Sequence, residues 1–251
     1  MGKVNYEEML ELRKKGVNCK DLAQKYNVHP SSISKALKTL NVKGRNPNMC
    51  LDVFNSGVEA DYWLGFLMAD GSIREHNGGI SICLELAIKD IKHLEKFKSF
   101  IRVENKIEIT KKGKACRIRV GNRELGLLLK TKGIIPSKTF KAKLLDTSHL
   151  SFDFSRGYID GDGSIGIYDV RDKRDNRIYR QRTLTIVGTK SILTQIDSVI
   201  NTNNKITKEG KFYRLTKSGS KLVPILKRLY YPECVTLNRK RDIAERIIRG
   251  E

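Results

Sequence analysis

Two short segments, WLGFLMADG at 63–71 and SRGYIDGDG at 155–163, repeat one pattern: a helix with small residues four apart, ending in Asp-Gly. Gly65 and Ala69 in the first, and Gly157 and Gly161 in the second, share one helix face, because side chains four apart lie one above the other. A stripe without bulk lets another backbone approach closely, so the two helices are expected to pack on each other there. Asp70 and Asp162 then meet at the paired C-terminal ends. Gly71 and Gly163, which come next, are expected in the left-handed conformation that closes many helices. Two carboxylates facing each other at negative helix ends are unfavourable without a cation. Oxygen ligands with room for water suit Mg²⁺ or Mn²⁺. A calcium loop of the EF-hand kind does not fit, since Ile165 stands where glycine is needed and Arg171 where the closing Glu belongs.

The elements after each segment repeat as well. After the first, Ile80, Ile82, Leu84, Leu86 and Ile88 alternate with Ser81, Cys83, Glu85 and Ala87, which predicts a half-buried strand. A helix over about 90–101, strands KIEIT and CRIRV, and a helix through Leu125, Leu127, Leu128 and Leu129 complete the copy. The second copy runs through strand RIYRQRTLTIV, helix SILTQIDSVI, strands NKIT and KFYRLT, helix SKLVPILKRLYY and a last helix from Arg239. The expected fold class is α+β: αββαββα twice, over 58–151 and 152–251, each copy an antiparallel sheet with helices on one face. Arg117 and Arg119, Arg180 and Arg182, and Lys211 and Arg214, with Arg177 beside them, are expected on the open faces.

Residues 1–42 have a different period. Helices are expected over 5–15 (stopped by Gly16), over 19–26 and from Pro30 to about Leu40. The second and third, joined by a tight turn at Asn27, resemble a helix-turn-helix that reads DNA. Ser31, Ser32, Ser34, Lys35 and Lys38 on the polar side of the third suit phosphates and base edges. Residues 43–57, with Gly44 and Pro47, read as a linker.

The net charge of +21, from 49 Lys and Arg against 28 Asp and Glu, is spread along the chain rather than gathered in a tail. So large an excess opposes compaction by self-repulsion and points to a polyanionic partner. A hydrophobic share of 39 % excludes a disordered polycation. No apolar run is long enough to span a membrane, and no secretory signal opens the sequence. The cysteines (Cys19, Cys50, Cys83, Cys116, Cys234) are scattered and odd in number, against a disulfide framework or a zinc site. An intracellular protein is expected.

The paired segments resemble the signature of the LAGLIDADG homing endonucleases in their single-chain, two-motif form, and the resemblance extends from Val58 onward. It implies a monomeric, site-specific endonuclease acting on double-stranded DNA with a long target, through two saddle-shaped sheets related by a pseudo-two-fold. Asp70 and Asp162 are then the catalytic metal-binding acids, one per strand, with the carbonyls of Ala69 and Gly161 as further ligands. The family also places a basic residue near each metal, and Lys138 and Lys240 fit those places. Mg²⁺ or Mn²⁺ would support cleavage, with Ca²⁺ a non-cleaving substitute. Residues positioning the attacking water fall around 87–89 and 188–190. The earlier acidic position of the motif is Asp160 in one copy and Met68 in the other, and Ser155 and Arg156 replace its opening apolar pair. Another reading of the same fold is a non-cleaving DNA-binding regulator or an RNA maturase.

Overall fold

The structure, a computed structural model, describes residues 5–14, 17, 19–40, 49, 51–76, 79–110, 112–172, 174 and 176–251. Gly16, Gly44, Pro47 and Cys50 lie outside the described residues, as does most of the expected linker. The chain divides into two compact units, one of Met1–Cys50 with Lys98–Lys106 and one of Leu51–Phe97 with Ile107–Glu251. Among the described residues no helix is long and apolar enough to cross a membrane.

In the first unit, α1 (Tyr6–Lys14), α2 (Cys19–Lys25) and α3 (Pro30–Thr39) enclose a small core of Met9, Leu22, Ala23, Ile33 and Leu37. Asn27 turns the chain between α2 and α3 with φ 49°, a conformation Asn tolerates better than most residues. His29 then caps α3 by accepting from the Ser31 amide, with Pro30 at the first helical position. Glu8 ties α1 to α2 through Lys25 and Tyr26.

The second unit is built on α4 (Val58–Ala69) and α7 (Phe152–Asp162), which pack on each other along their lengths. Residues on every side of α4, from Tyr62 to Met68, are buried, as expected of a helix enclosed by neighbours. Ser151 starts α7 by accepting from the Phe154 amide. Around α4 the first copy places β1 (Gly71–His76), β2 (Gly79–Ala87), α5 (Ile91–Phe100), β3 (Glu108–Ile109), β4 (Ala115–Gly121) and α6 (Arg123–Thr131). Around α7 the second places β5 (Gly163–Arg171), β6 (Ile178–Gly188), α8 (Lys190–Ile200), β7 (Thr207–Glu209), β8 (Phe212–Ser218), α9 (Leu222–Leu229) and α10 (Asn238–Arg249). The sheets have matching antiparallel orders, β1-β2-β4-β3 and β5-β6-β8-β7. The strand expected at NKIT falls later, at Thr207–Glu209, where Gly210 at φ 58° turns it onto β8.

Candidate active site

The glycines are what bring α4 and α7 so close. A Cβ on Gly65 would lie 2.0 Å from the Phe154 carbonyl oxygen, and one on Gly157 would lie 2.0 Å from that of Tyr62. A Cβ on Gly161 would meet that of Ala69 at 2.4 Å and reach within 3.3 Å of the Asp70 carboxylate. The four stripe residues therefore face one another, as their spacing predicts. Gly71 and Gly163 serve differently from expectation. Neither has positive φ, and Gly163 is extended at φ −94° and ψ 166°. Each strand leaves its helix so sharply that a Cβ there would sit 2.6 Å from the Leu67 or the Ile159 carbonyl oxygen. Closeness, not handedness, requires glycine at both.

Asp70 and Asp162 meet at the paired helix ends. Burial, and then the charge of Asp162, push the Asp70 carboxyl up to about 6. Burial also raises the Asp162 carboxyl, against the pull of Lys138 and Lys240 and a hydrogen bond from the Tyr158 hydroxyl. Lys138 reaches in from a short turn and donates to the Ala69 carbonyl at 2.7 Å. Lys240, on α10 and 4 % exposed, donates to the carbonyls of Ile159 and Asp160 at 2.7 Å, Gly163 at 2.6 Å and Gly161 at 3.3 Å. Burial depresses its ammonium to about 8. Both lysines thus sit on backbone carbonyls around the ends of α4 and α7, that of Ile159 also accepting from the Gly163 amide. A cavity of about 350 Å³ opens beside Asp162, lined by Lys138, Tyr158, Val187 and Gly188 among others.

This set fits a hard divalent cation. The carboxylate charge is held at a cost that the two ammoniums leave partly uncompensated, and every donor is oxygen. Among the described residues there is no group of three His, Cys, Asp or Glu suited to a metal. An ion would therefore rest on Asp70, Asp162 and backbone carbonyls, and those of Ala69 and Gly161 each keep a second lone pair beside their lysine.

Asp160 is buried and fully partnered. It accepts from the hydroxyls of Tyr62 and Tyr230 at 2.8 Å and from the Leu237 amide at 2.7 Å. Tyr62 also meets His93 Nε2 at 2.9 Å. Arg156 donates to Leu229 and Val235 carbonyls and to Asp153. Sequence reading missed Tyr158, whose position one turn before Asp162 was the available signal.

The basic residues divide by face. On β4, Arg117 and Arg119 alternate with buried Cys116, Ile118 and Val120 and lie on the open face. Arg117 pairs there with Glu108 and Glu85. Arg214 is likewise on the open face, bound to Glu209, and Lys211 is exposed at the turn before β8. Arg180 and Arg182 are a correction. They share their side of β6 with buried Leu184 and Ile186, so they lie on the helix side, and Arg182 donates to the carbonyls of Gly250 and Glu251. The core residues set the phase of a strand, and outer polar residues take the phase they leave. Arg177 precedes β6. In the first unit, Ser31, Ser32, Ser34, Lys35 and Lys38 are all exposed on α3.

No protein-family model matches the sequence, and no curated protein matches it either. Solved structures do. The LAGLIDADG meganuclease I-AabMI bound to uncleaved DNA has 13 % identity and a TM-score of 0.55, over 75 % of this chain and 89 % of that one. The I-LtrWI LAGLIDADG homing endonuclease bound to target DNA has 15 % identity and a TM-score of 0.56, over 77 % and 91 %. I-SmaMI bound to uncleaved DNA in the presence of calcium ions has 13 % identity and a TM-score of 0.53, over 76 % and 96 %. With two matched four-stranded sheets spread about two glycine-faced helices, this chain has the fold of the LAGLIDADG homing endonucleases.

Proposed function

We propose that the protein is a site-specific double-strand DNA endonuclease that hydrolyses one phosphodiester in each strand. The observation that carries this reading is the meeting of Asp70, half-buried, and Asp162, open to the cavity beside it, both with raised carboxyl pKa, at the ends of α4 and α7. A structural pair would be neutral or bridged by a cationic side chain, whereas Lys138 and Lys240 here bind backbone carbonyls. Mg²⁺ or Mn²⁺ at these oxygens would supply activation of water and stabilisation of the leaving oxygen. The chain's own residues do the rest. Lys138 and Lys240 fix the helix-end carbonyls and offer positive charge near a scissile phosphate. The Tyr158 hydroxyl, which donates to the Val187 carbonyl at 3.2 Å, stands beside the Asp162 carboxylate and favours its charged form. The open faces of the sheets, with Arg117, Arg119 and Arg214, would lie in the major groove.

DNA-bound relatives of the same fold support this partner, and the solved calcium complex of I-SmaMI suits Ca²⁺ as an ion for binding here. Both carboxylates come from one chain, so a monomer suffices. Residues 1–42 would extend the footprint through α3, joined by 43–57 to the catalytic copies at 58–151 and 152–251. Incubation with a randomised library of long duplexes and Mg²⁺ tests the reading. Paired cuts with a constant short stagger at one recurring sequence are expected. Binding to a recurring sequence without any cut would instead indicate a regulator, and cuts at no preferred sequence would remove the site-specific assignment.

A further inference from the structure

Two stacked phenylalanine rings stand at the mouth of the catalytic cavity, and nothing in the hydrolysis requires them. Phe140 and Phe212 lie with ring centroids 5.3 Å apart and planes only 13° from parallel. Phe140 is 60 % exposed, which forgoes about 2 kcal/mol that burying such a ring would contribute. Phe212 lines the cavity with Lys138, Thr139, Tyr158 and Asp162. It stands on the open face of its sheet, alternating with Tyr213 and buried Leu215.

The segment that carries Phe140 is held at several points. Lys138, two residues earlier, is fixed on the Ala69 carbonyl, and Ser137 before it takes a left-handed conformation at φ 54°. Beyond the ring, the Ala142 carbonyl accepts from the Thr189 hydroxyl, and Leu144 exchanges two hydrogen bonds with the Gln195 amide. The ring is thus presented by a fixed turn. Among the described residues the other half of the site has no such stack. Two residues after Lys240 stands exposed Asp242. Gly71 pairs with Leu84 and Leu84 with Ile118, as Gly163 pairs with Ile186 and Ile186 with Leu215, so Ala115 occupies the place of Phe212.

Parallel rings with one outer face free form a platform that a third flat ring can extend. Stacking of a base on an aromatic side chain contributes about 1–3 kcal/mol, and apolar side chains are known to open base steps from the minor groove. Resting on the endonuclease reading, we propose that Phe140, backed by Phe212, takes up a nucleobase unstacked beside a scissile phosphate, on one side of the cleavage centre only. The target should therefore carry an easily opened pyrimidine–purine step at that place, chosen by deformability rather than by hydrogen bonding.

The test uses the full chain and a duplex it selects from the randomised library, held uncleaved with Ca²⁺, with 2-aminopurine placed at each central position in turn. Fluorescence should rise several-fold at one position on one side of the centre. Phe140→Ala should lose that rise and slow cleavage about tenfold, the rate equivalent of about 1.4 kcal/mol of lost stacking. Phe140→Trp should retain both. Because the ring is exposed, the alanine variant should fold, and an unchanged melting curve verifies it. An identical fluorescence pattern in wild type and Phe140→Ala overturns the platform and leaves the endonuclease intact. Loss of signal equally on both sides overturns its one-sidedness. A wild type that selects no duplex overturns the endonuclease reading itself, at the first step.

Discussion

Helices α4 and α7 occupy equivalent places, yet they reach them by opposite chemistry. Where α7 carries Arg156, Tyr158 and Asp160, α4 carries Leu64, Phe66 and Met68, all buried. The polar set is tied to the end of α9 and the segment after it: Arg156 to the Leu229 and Val235 carbonyls, Asp160 to Tyr230 and the Leu237 amide. That segment leads directly into α10, and α10 delivers Lys240 to four carbonyls, whereas Lys138 reaches one. Buried polar groups are tolerated when every member finds a partner. The difference shows that the shared interface constrains only the glycine stripe and the terminal carboxylates. Outside them, one half is held by apolar packing and the other by a polar network, centred on Arg156 and Asp160, that also anchors a lysine.

The stripe should respond alike on both sides. Gly65→Ala and Gly157→Ala each press a Cβ against backbone that cannot swing aside, so each should destabilise by about 3 kcal/mol or more. Urea unfolding of both variants measures this. A large cost at one site alone would break the proposed equivalence. The lysines should respond unequally. Lys240→Met leaves several helix-end carbonyls unpaired in a buried place and should cost about 3 kcal/mol, against about 1 kcal/mol for Lys138→Met. Equal losses in the same unfolding experiment would show that the extra carbonyl hydrogen bonds contribute little.

A smaller effect arises from the carboxylate pair. The Asp70 carboxyl lies near 6 when folded and 3.8 is its ordinary value. The folded state therefore holds its proton more tightly, and this group makes stability fall as pH rises from about 4 to about 6, remaining low above. Asp162→Asn removes the second cause of that shift and leaves burial, the first. Without divalent ions it should stabilise the protein by about 1 kcal/mol at pH 7.5 and by less at pH 5. His93, held neutral by burial with its pKa near 3, acts in the opposite sense, losing stability as pH falls below 6.5. The difference between variant and wild type cancels that contribution. Thermal melting at the two pH values decides, and a gain at pH 5 as large as that at pH 7.5 would contradict the charge origin. The smallest effect is expected from removing residues 1–42. Affinity and its salt dependence should drop, by about one unit of log–log slope for each phosphate that α3 no longer neutralises, with the cut position unchanged. An unchanged salt slope would show that α3 touches no target DNA.

The duplication, the stripe and the paired Asp-Gly ends were legible because each is a local pattern occurring twice. Lys138 and Lys240 came from the family resemblance, and their hydrogen bonds to helix ends give a physical reason for it. The side of β6 on which Arg180 and Arg182 fall was misjudged, since alternation alone leaves two phases and only Leu184 and Ile186 choose between them. Gly71 and Gly163 were read by the commonest use of glycine after a helix, when close passage past Leu67 and Ile159 is the need. The Asp160 network and the Phe140–Phe212 stack join residues far apart in sequence, where no periodicity reports them.

Cleavage of a selected duplex by wild type, Asp70→Asn and Asp162→Asn, with strands labelled separately and Mg²⁺ or EDTA present, tests the catalytic assignment most directly. Wild type should cut both strands in Mg²⁺ and neither in EDTA. Each variant should retain binding in Ca²⁺ and lose at least about a hundredfold in rate on one or both strands, of the order expected for losing a metal-held catalytic arrangement. Wild-type rates on both strands in both variants, or full turnover in EDTA, would contradict it.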